Sequence, residues 1–223
     1  VQSLHRRIRE EGRVVSPTVL KVDSFLNHQV DPAFIMDIGK AFAARFAAER
    51  VDKVLTVEAS GIHIAMATAL CLDVPFVYAK KRRALTQSGE AYSVPIVSYT
   101  RGETVPITIS KTYLRPGERV LIVDDILARG GAILGLCEMI RHAGAHLVGV
   151  GVVIEKSFQE GRRQLDALGV PVCALARILR MGTDGIEFLA DEGAVDAAPN
   201  NALAGTSPLQ RPQPYFSQNG SGF

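Results

Sequence analysis

Apolar positions along the chain follow two periods. Phe34, Ile35, Ile38, Phe42 and Phe46 recur at helical spacing, which predicts a helix with one face packed on a sheet. Asp31 marks its start as a cap, and Pro32 fits the first helical position, where its missing N–H had no partner. Residues 2–11 have a shorter helical pattern that stops at Gly12. From residue 53 onward, strand and helix patterns alternate. Residues 53–58 (KVLTVE), 75–79 (PFVYA), 119–125 (RVLIVDD) and 146–155 (HLVGVGVVIE) read as buried strands, with helices over 61–72 and about 130–143 between them. Nearly continuous apolar strands separated by helices predict an α/β fold with a parallel sheet covered on both faces.

Two stretches break this pattern. Between Lys80 and Gly117 the chain carries a basic run and then 91–94 and 105–110, which read as two edge strands or a long hairpin. Pro95 and Pro106 suit an edge, where a missing donor costs nothing. An excursion of this length in a compact domain is usually functional or mobile. From Asp191 onward the periodicity disappears into Ala, Gly, Pro, Asn, Gln and Ser, and residues 191–223 are expected to form a disordered tail without chemistry of its own.

Composition narrows the classes. The 223 residues fit one full domain plus a remainder. Lysine and arginine total 25 against 23 acids, a formal charge of +2 that gives no support to a nucleic-acid-coating protein. No apolar run approaches the ~18 residues of a membrane span, and residues 1–12 lack the apolar core of a signal peptide, so a cytoplasmic location away from membranes is expected. Cys71, Cys137 and Cys173 are far apart and odd in number, which points to reduced thiols rather than disulfides or zinc. The five histidines show no ligand spacing.

The most informative stretch is 120–132 (VLIVDDILARGGA). It puts Asp124 and Asp125 at the end of a buried strand, followed by a small-residue turn and a helix. Ligands of open parallel sheets bind outside the carboxyl ends of the strands. A helix N-terminus offers free N–H groups and a positive dipole end to phosphate. The carboxylates suit sugar hydroxyls or a magnesium ion, which prefers oxygen ligands. Singly, an Asp-Asp pair is a solvated turn and a Gly-Gly pair a helix entry; joined on one strand, turn and helix they favour a sugar-phosphate site. No GxxxxGK[ST] and no GxGxxG with a distal acid is present, which disfavours nucleotide triphosphatases and dinucleotide enzymes.

This strand, turn and helix resembles the phosphoribosyl-pyrophosphate signature of the purine and pyrimidine phosphoribosyltransferases. Residues 20–29 (LKVDSFLNHQ), 58–62 (EASGI) and 154–159 (IEKSFQ), with a weaker match at 175–178 (LARI), are similar to the xanthine branch of that family over roughly 2–190. The resemblance implies a domain over 1–190: a parallel sheet flanked by helices, with a small hood over the base drawn from about 1–36 and 155–190. It implies transfer of the 5-phosphoribosyl group from 5-phosphoribosyl 1-diphosphate (PRPP) to N9 of xanthine, giving xanthosine monophosphate (XMP) and diphosphate in purine salvage.

By the same resemblance, Ala128, Arg129, Gly130, Gly131 and Ala132 wrap the 5′-phosphate, and Asp124 and Asp125 are the catalytic carboxylates that meet the ribose. Ser60 and Gly61 receive the diphosphate. Lys81, from the basic run 80–83, attracts it, within one chain or across a dimer interface. Leu20, Asn27 and Lys156 select the base. A lysine donates but does not accept, so Lys156 suits an exocyclic purine oxygen and rejects an amino group. Magnesium is expected on the oxygens of PRPP and diphosphate, with no metal held by the protein directly, and the enzyme is expected to be a homodimer. The turn departs from the broader signature, which commonly has Thr or Ser where this chain has Ala128, Arg129 and Ala132; the charge of Arg129 stands in place of those hydroxyls. Two other readings stay open: transfer to guanine or hypoxanthine, since Lys156 suits any 6-oxopurine, and a non-catalytic regulator that senses the donor. The few residues before Asp31 and the intact 58–61 loop speak against the regulator.

Overall fold

Alternating buried strands and amphipathic helices give a layered structure because neither can cover its apolar face alone. The computed structural model describes residues 2–81, 90–98 and 103–190, which fall within one compact unit, Val1–Asp191. In chain order its elements begin with α1 (Gln2–Glu11), β1 (Arg13–Ser16), β2 (Val19–Lys21), a single π-helical turn (Asp23–Asn27), α2 (Pro32–Arg45), β3 (Lys53–Val57), α3 (Ile62–Leu72) and β4 (Phe76–Ala79). They continue with β5 (Ala91–Ser98), β6 (Glu103–Ser110), β7 (Arg119–Leu127), α4 (Gly131–His142), β8 (His146–Lys156), α5 (Gly161–Ala167), β9 (Val172–Gly182) and β10 (Gly185–Phe188). The expected tail at 191–223, and Arg82 and Arg83 of the basic run, lie outside the described residues.

Six strands form the main sheet in the order β10-β9-β8-β7-β3-β4. All neighbours are parallel except β10, which runs antiparallel to β9. The parallel strands therefore end at one edge, at Val57, Ala79, Leu127, Lys156 and Gly182. That edge carries the site.

The helices sit where glycines make room. At α2, the Asp31 side chain accepts hydrogen bonds from the N–H groups of Ala33 (3.1 Å) and Phe34 (3.2 Å). Phe42 and Phe46 then lie over the glycines of β8, where a Cβ at Gly151 would come within 2.8 Å of the Phe42 ring and one at Gly149 within 2.6 Å of Phe46. The expected hairpin forms a separate two-stranded sheet in which Pro95 faces Pro106, joined to β4 by the Lys80–Thr108 bridge. It packs on α4, where a Cβ at Gly135 would collide with Ile96.

Three features differ from the sequence reading. The expected parallel sheet carries one antiparallel strand at its edge, because β9 and β10 return on each other as a hairpin; Arg177 and Arg180 mask that pattern in the sequence. β7 runs on to Leu127, so Asp124 and Asp125 lie inside it. The short β1, β2 and α5 left no periodic signal. The beginning and end of the described chain also meet: the His5 ring stacks on Phe188 at 4.2 Å, and Arg9 lies over the same ring. Among the described residues no helix is long and apolar enough to cross a membrane.

Candidate active site

The turn after β7 is shaped by Gly130, which adopts φ +80°, a left-handed conformation open to glycine. It delivers the chain into α4, whose first N–H groups have no helical partners. A cleft of about 200 Å³ opens there. Lys81, Asp124 and all five residues 128–132 line it, and Ile96 and Val105 of the hairpin supply an apolar wall. Lys81 thus reaches the turn within its own chain. Helix dipole, free amides and an ammonium group in one concavity make a site for phosphate.

Two carboxylates flank the turn, Asp124 at 5% exposure and Asp125 at 9%. Asp124 Oδ1 accepts from the Asp125 N–H at 3.0 Å, and Asp125 Oδ1 from the Ile126 N–H at 2.9 Å. Burial pushes the Asp124 carboxyl well above the usual carboxylate range; the charge of Asp125 adds to this, and Lys81 opposes it. The loop 58–61 lies directly against this pair. A Cβ at Gly61 would fall on Thr56 Oγ1 and come within 2.9 Å of Asp124 Oδ1, so only glycine fits. The Glu58–Ala59 peptide is cis, and Glu58 Oε1 accepts from the Lys81 N–H at 2.7 Å. Gly61 therefore stands beside Asp124, and Ser60 precedes it in the loop.

On the other side of Asp125 the hood approaches. Asn27, at the end of the π-helical turn, donates through Nδ2 to Asp125 Oδ2 at 3.2 Å. Lys156, the last residue of β8, is 8% exposed and donates through Nζ to the Thr18 carbonyl at 2.8 Å. Burial lowers its pKa, and the charge of Asp125 opposes that fall. Leu20 is buried in the core with Phe25 and Leu26. It stands two residues after Thr18, whose carbonyl holds Lys156. The two adjacent carboxylates thus face different neighbours, Asp124 the cleft at the turn and Asp125 the Asn27 side chain.

The family model described as phosphoribosyl transferase domain matches residues 26–173. A curated xanthine phosphoribosyltransferase of Brevibacillus brevis is 56% identical over 194 residues, covering 87% of this chain and 99% of that protein. The chain belongs to the xanthine phosphoribosyltransferase family. A second such relative, from an Exiguobacterium species, is 49% identical over 85% of this chain and 98% of its own length. A solved adenine phosphoribosyltransferase from Rhodothermus marinus shares the fold, with a TM-score of 0.65 at 24% identity over 79% of this chain and 99% of that one.

Within this family member, three groups near the carboxylates escaped the sequence reading. The Thr18 carbonyl is a backbone atom without a side-chain signature. Thr56 Oγ1 is buried without a hydrogen-bond partner beneath Gly61. His63 stands in the first turn of α3; burial lowers its pKa while the backbone of Leu26 and the charge of Asp125 raise it. Its position two residues after the 58–61 loop was the one available signal.

Proposed function

We propose that this chain transfers the 5-phosphoribosyl group of PRPP to N9 of xanthine, releasing diphosphate and forming XMP. One observation carries the reading: the adjacent carboxylates of β7 join two halves of a site, Asp124 lining the cleft with the turn 128–132 and Asp125 accepting from the half-buried Asn27 beside the buried Lys156. In the reaction the C1′–O bond to diphosphate breaks, the N9–C1′ bond forms, and the N9 proton leaves. The amides of 128–132 hold the 5′-phosphate, and Arg129 adds charge. Asp124 and Asp125 meet the ribose and stabilise the positive charge that grows on it as diphosphate departs; preorganised charge of this kind is the main means of catalysis where the protein forms no bond itself. Lys81, Ser60 and Gly61 receive the diphosphate.

Magnesium fits as a metal carried on the substrate. Asp124 lines the cleft, and Asp125 follows it on β7. Mg²⁺ commonly takes one or two carboxylates, water and phosphate oxygens. When bound it supplies charge stabilisation to the leaving diphosphate.

Lys156 donates to an exocyclic oxygen of the base, with the Thr18 carbonyl holding it ready, and Asn27 reads a second edge. Leu20 packs behind them. A homodimer in the cytoplasm belongs to the same reading; Met66 and Leu70, one turn apart and exposed on α3, give a second copy an apolar strip to cover. The test is a transfer assay with PRPP, Mg²⁺ and each of xanthine, guanine, hypoxanthine and adenine. XMP as the preferred product is expected. Product from guanine or hypoxanthine alone would move the reading to those bases, and no product from any base would favour a donor-sensing regulator.

A further inference from the structure

Glu155 is fully buried at the end of β8, next to the base-facing Lys156. Its Oε2 accepts from Arg162 Nη1 at 2.8 Å, and its Oε1 from Ser157 Oγ at 2.5 Å and Arg177 Nε at 3.4 Å. A buried ion pair is weak evidence for stability, because desolvation offsets its Coulomb gain; its best-attested use is to fix register. Register matters here. Neighbouring residues of a strand point to opposite faces, so anchoring Glu155 toward α5 sets Lys156 toward the hood, where it meets Thr18.

The anchor continues to the phosphate turn. Arg162 follows Gly161, whose N–H donates to the Ala128 carbonyl at 3.0 Å. A Cβ at Gly161 would come within 2.5 Å of that carbonyl oxygen and 2.9 Å of the Gly130 nitrogen. The first residue of α5 is therefore wedged on the turn, and the second grips the carboxylate beside Lys156. Glu155 also faces Leu127 across the sheet, just before the turn.

We propose that Glu155, Arg162 and Gly161 are positioning residues that tie Lys156 to the 5′-phosphate turn, so that filling the turn sets the lysine for the purine. This rests on the assignment of Lys156 to the base and of 128–132 to the phosphate. None of the three touches substrate. Their effect is on the coupling of two binding events: occupancy of the turn by a phosphate raises purine affinity, and the purine raises phosphate affinity by the same factor.

The experiment measures, by titration calorimetry on the full chain, the binding of ribose 5-phosphate, of xanthine, guanine and hypoxanthine, and of each purine with ribose 5-phosphate saturating. The parent is expected to bind its purine about fivefold or more tightly with the sugar phosphate present. Arg162→Met should abolish that factor while Arg177 and Ser157 keep Glu155 paired, and Arg162→Lys should restore part of it. Gly161→Ala should weaken ribose 5-phosphate about tenfold, within the range that overpacking a tight contact costs, because the turn must shift to clear the new methyl group. A purely structural role would lower the melting temperature and leave the coupling factor as in the parent; that result, or a parent without coupling, would overturn the proposal. A parent that transfers to xanthine yet shows no coupling overturns this inference alone. A parent that makes no XMP but couples guanine to ribose 5-phosphate supports it and overturns the choice of xanthine.

Discussion

Asp125→Asn removes one charge from the centre of the site and keeps its shape. The amide oxygen can still accept from the Ile126 N–H, now 2.9 Å from Oδ1. At Oδ2 the new nitrogen would meet another donor, Asn27 Nδ2 at 3.2 Å. Asn27 Oδ1, however, is buried without a partner, so turning the Asn27 amide over makes the bond again. The fold then loses less than about 1 kcal/mol, a melting shift below about 2–4 °C for a domain of this size. Turnover loses much more. Removing one group that stabilises transition-state charge costs roughly 10²–10³ in kcat, about 2.7–4 kcal/mol. The reversed Asn27 amide also presents its donor where an acceptor stood, raising KM for xanthine. Asp125 holds the Lys156 pKa up against burial, so its loss lowers that pKa further. If the ammonium form reads the base, the alkaline limb of kcat/KM for xanthine moves to lower pH. Initial rates of XMP formation across neutral to alkaline pH, with calorimetric melting, test all of this. A kcat within about threefold of the parent would refute the charge argument, and a large kcat loss matched by a collapse in melting temperature would refute the claim that the fold absorbs the change.

Lys156→Met is expected to cut kcat/KM for xanthine roughly 10–100-fold, the worth of a hydrogen bond from a charged donor, while melting holds or rises because a buried ammonium is gone; equal losses on every base would argue against base reading. Asp31 has its carboxyl held below its usual value by the Phe34 N–H and by Arg7. The stability it lends is therefore complete above the unfolded value of 3.8 and lost as pH falls through the lower folded value. Asp31→Asn keeps the cap acceptor, so a flatter acid limb in melting against pH is expected, and an unchanged limb would exclude this carboxyl as a source of the acid dependence. Gly151→Val drives a side chain into the Phe42 ring, 2.8 Å from where a Cβ would sit, and should cost about 1–3 kcal/mol by overpacking. Chemical denaturation reads that loss directly, and a neutral result would mean that α2 shifts freely on the sheet.

The phosphate half of the site was legible because its chemistry is contiguous. Strand, carboxylates, turn and helix start all fall within 120–132, and each residue type has a local physical reason. The base half was not, because it is assembled from chain distant in sequence: Asn27 meets Asp125 across 98 positions and Lys156 meets Thr18 across 138. Composition and spacing say nothing about such pairs, and Asn27 and Lys156 were reached through family resemblance. Where the chain follows one period, as in β3, β8 and α2, the sequence reading met the structure closely. It failed at β9 and β10, where charged residues on an exposed edge mask the alternation, and at the three- and four-residue strands of the hood.

Local rules are broken most densely around the two carboxylates. Asp124 is buried beside a second acid, and Asn27 Oδ1, Thr56 Oγ1 and His63 Nε2 are buried without hydrogen-bond partners. Each such group costs free energy in the fold. Elsewhere among the described residues, Lys53 reaches both oxygens of Glu118, at 2.7 and 2.8 Å, and Glu155 is held by two arginines. The contrast gives the unsatisfied groups a purpose. On the proposed function, the positive charge that grows on the sugar favours the ionised form of Asp124, which burial and Asp125 disfavour in the fold. On the same reading, hydroxyls, base edges and the departing anion are the partners of Asn27 Oδ1, Thr56 Oγ1 and His63 Nε2.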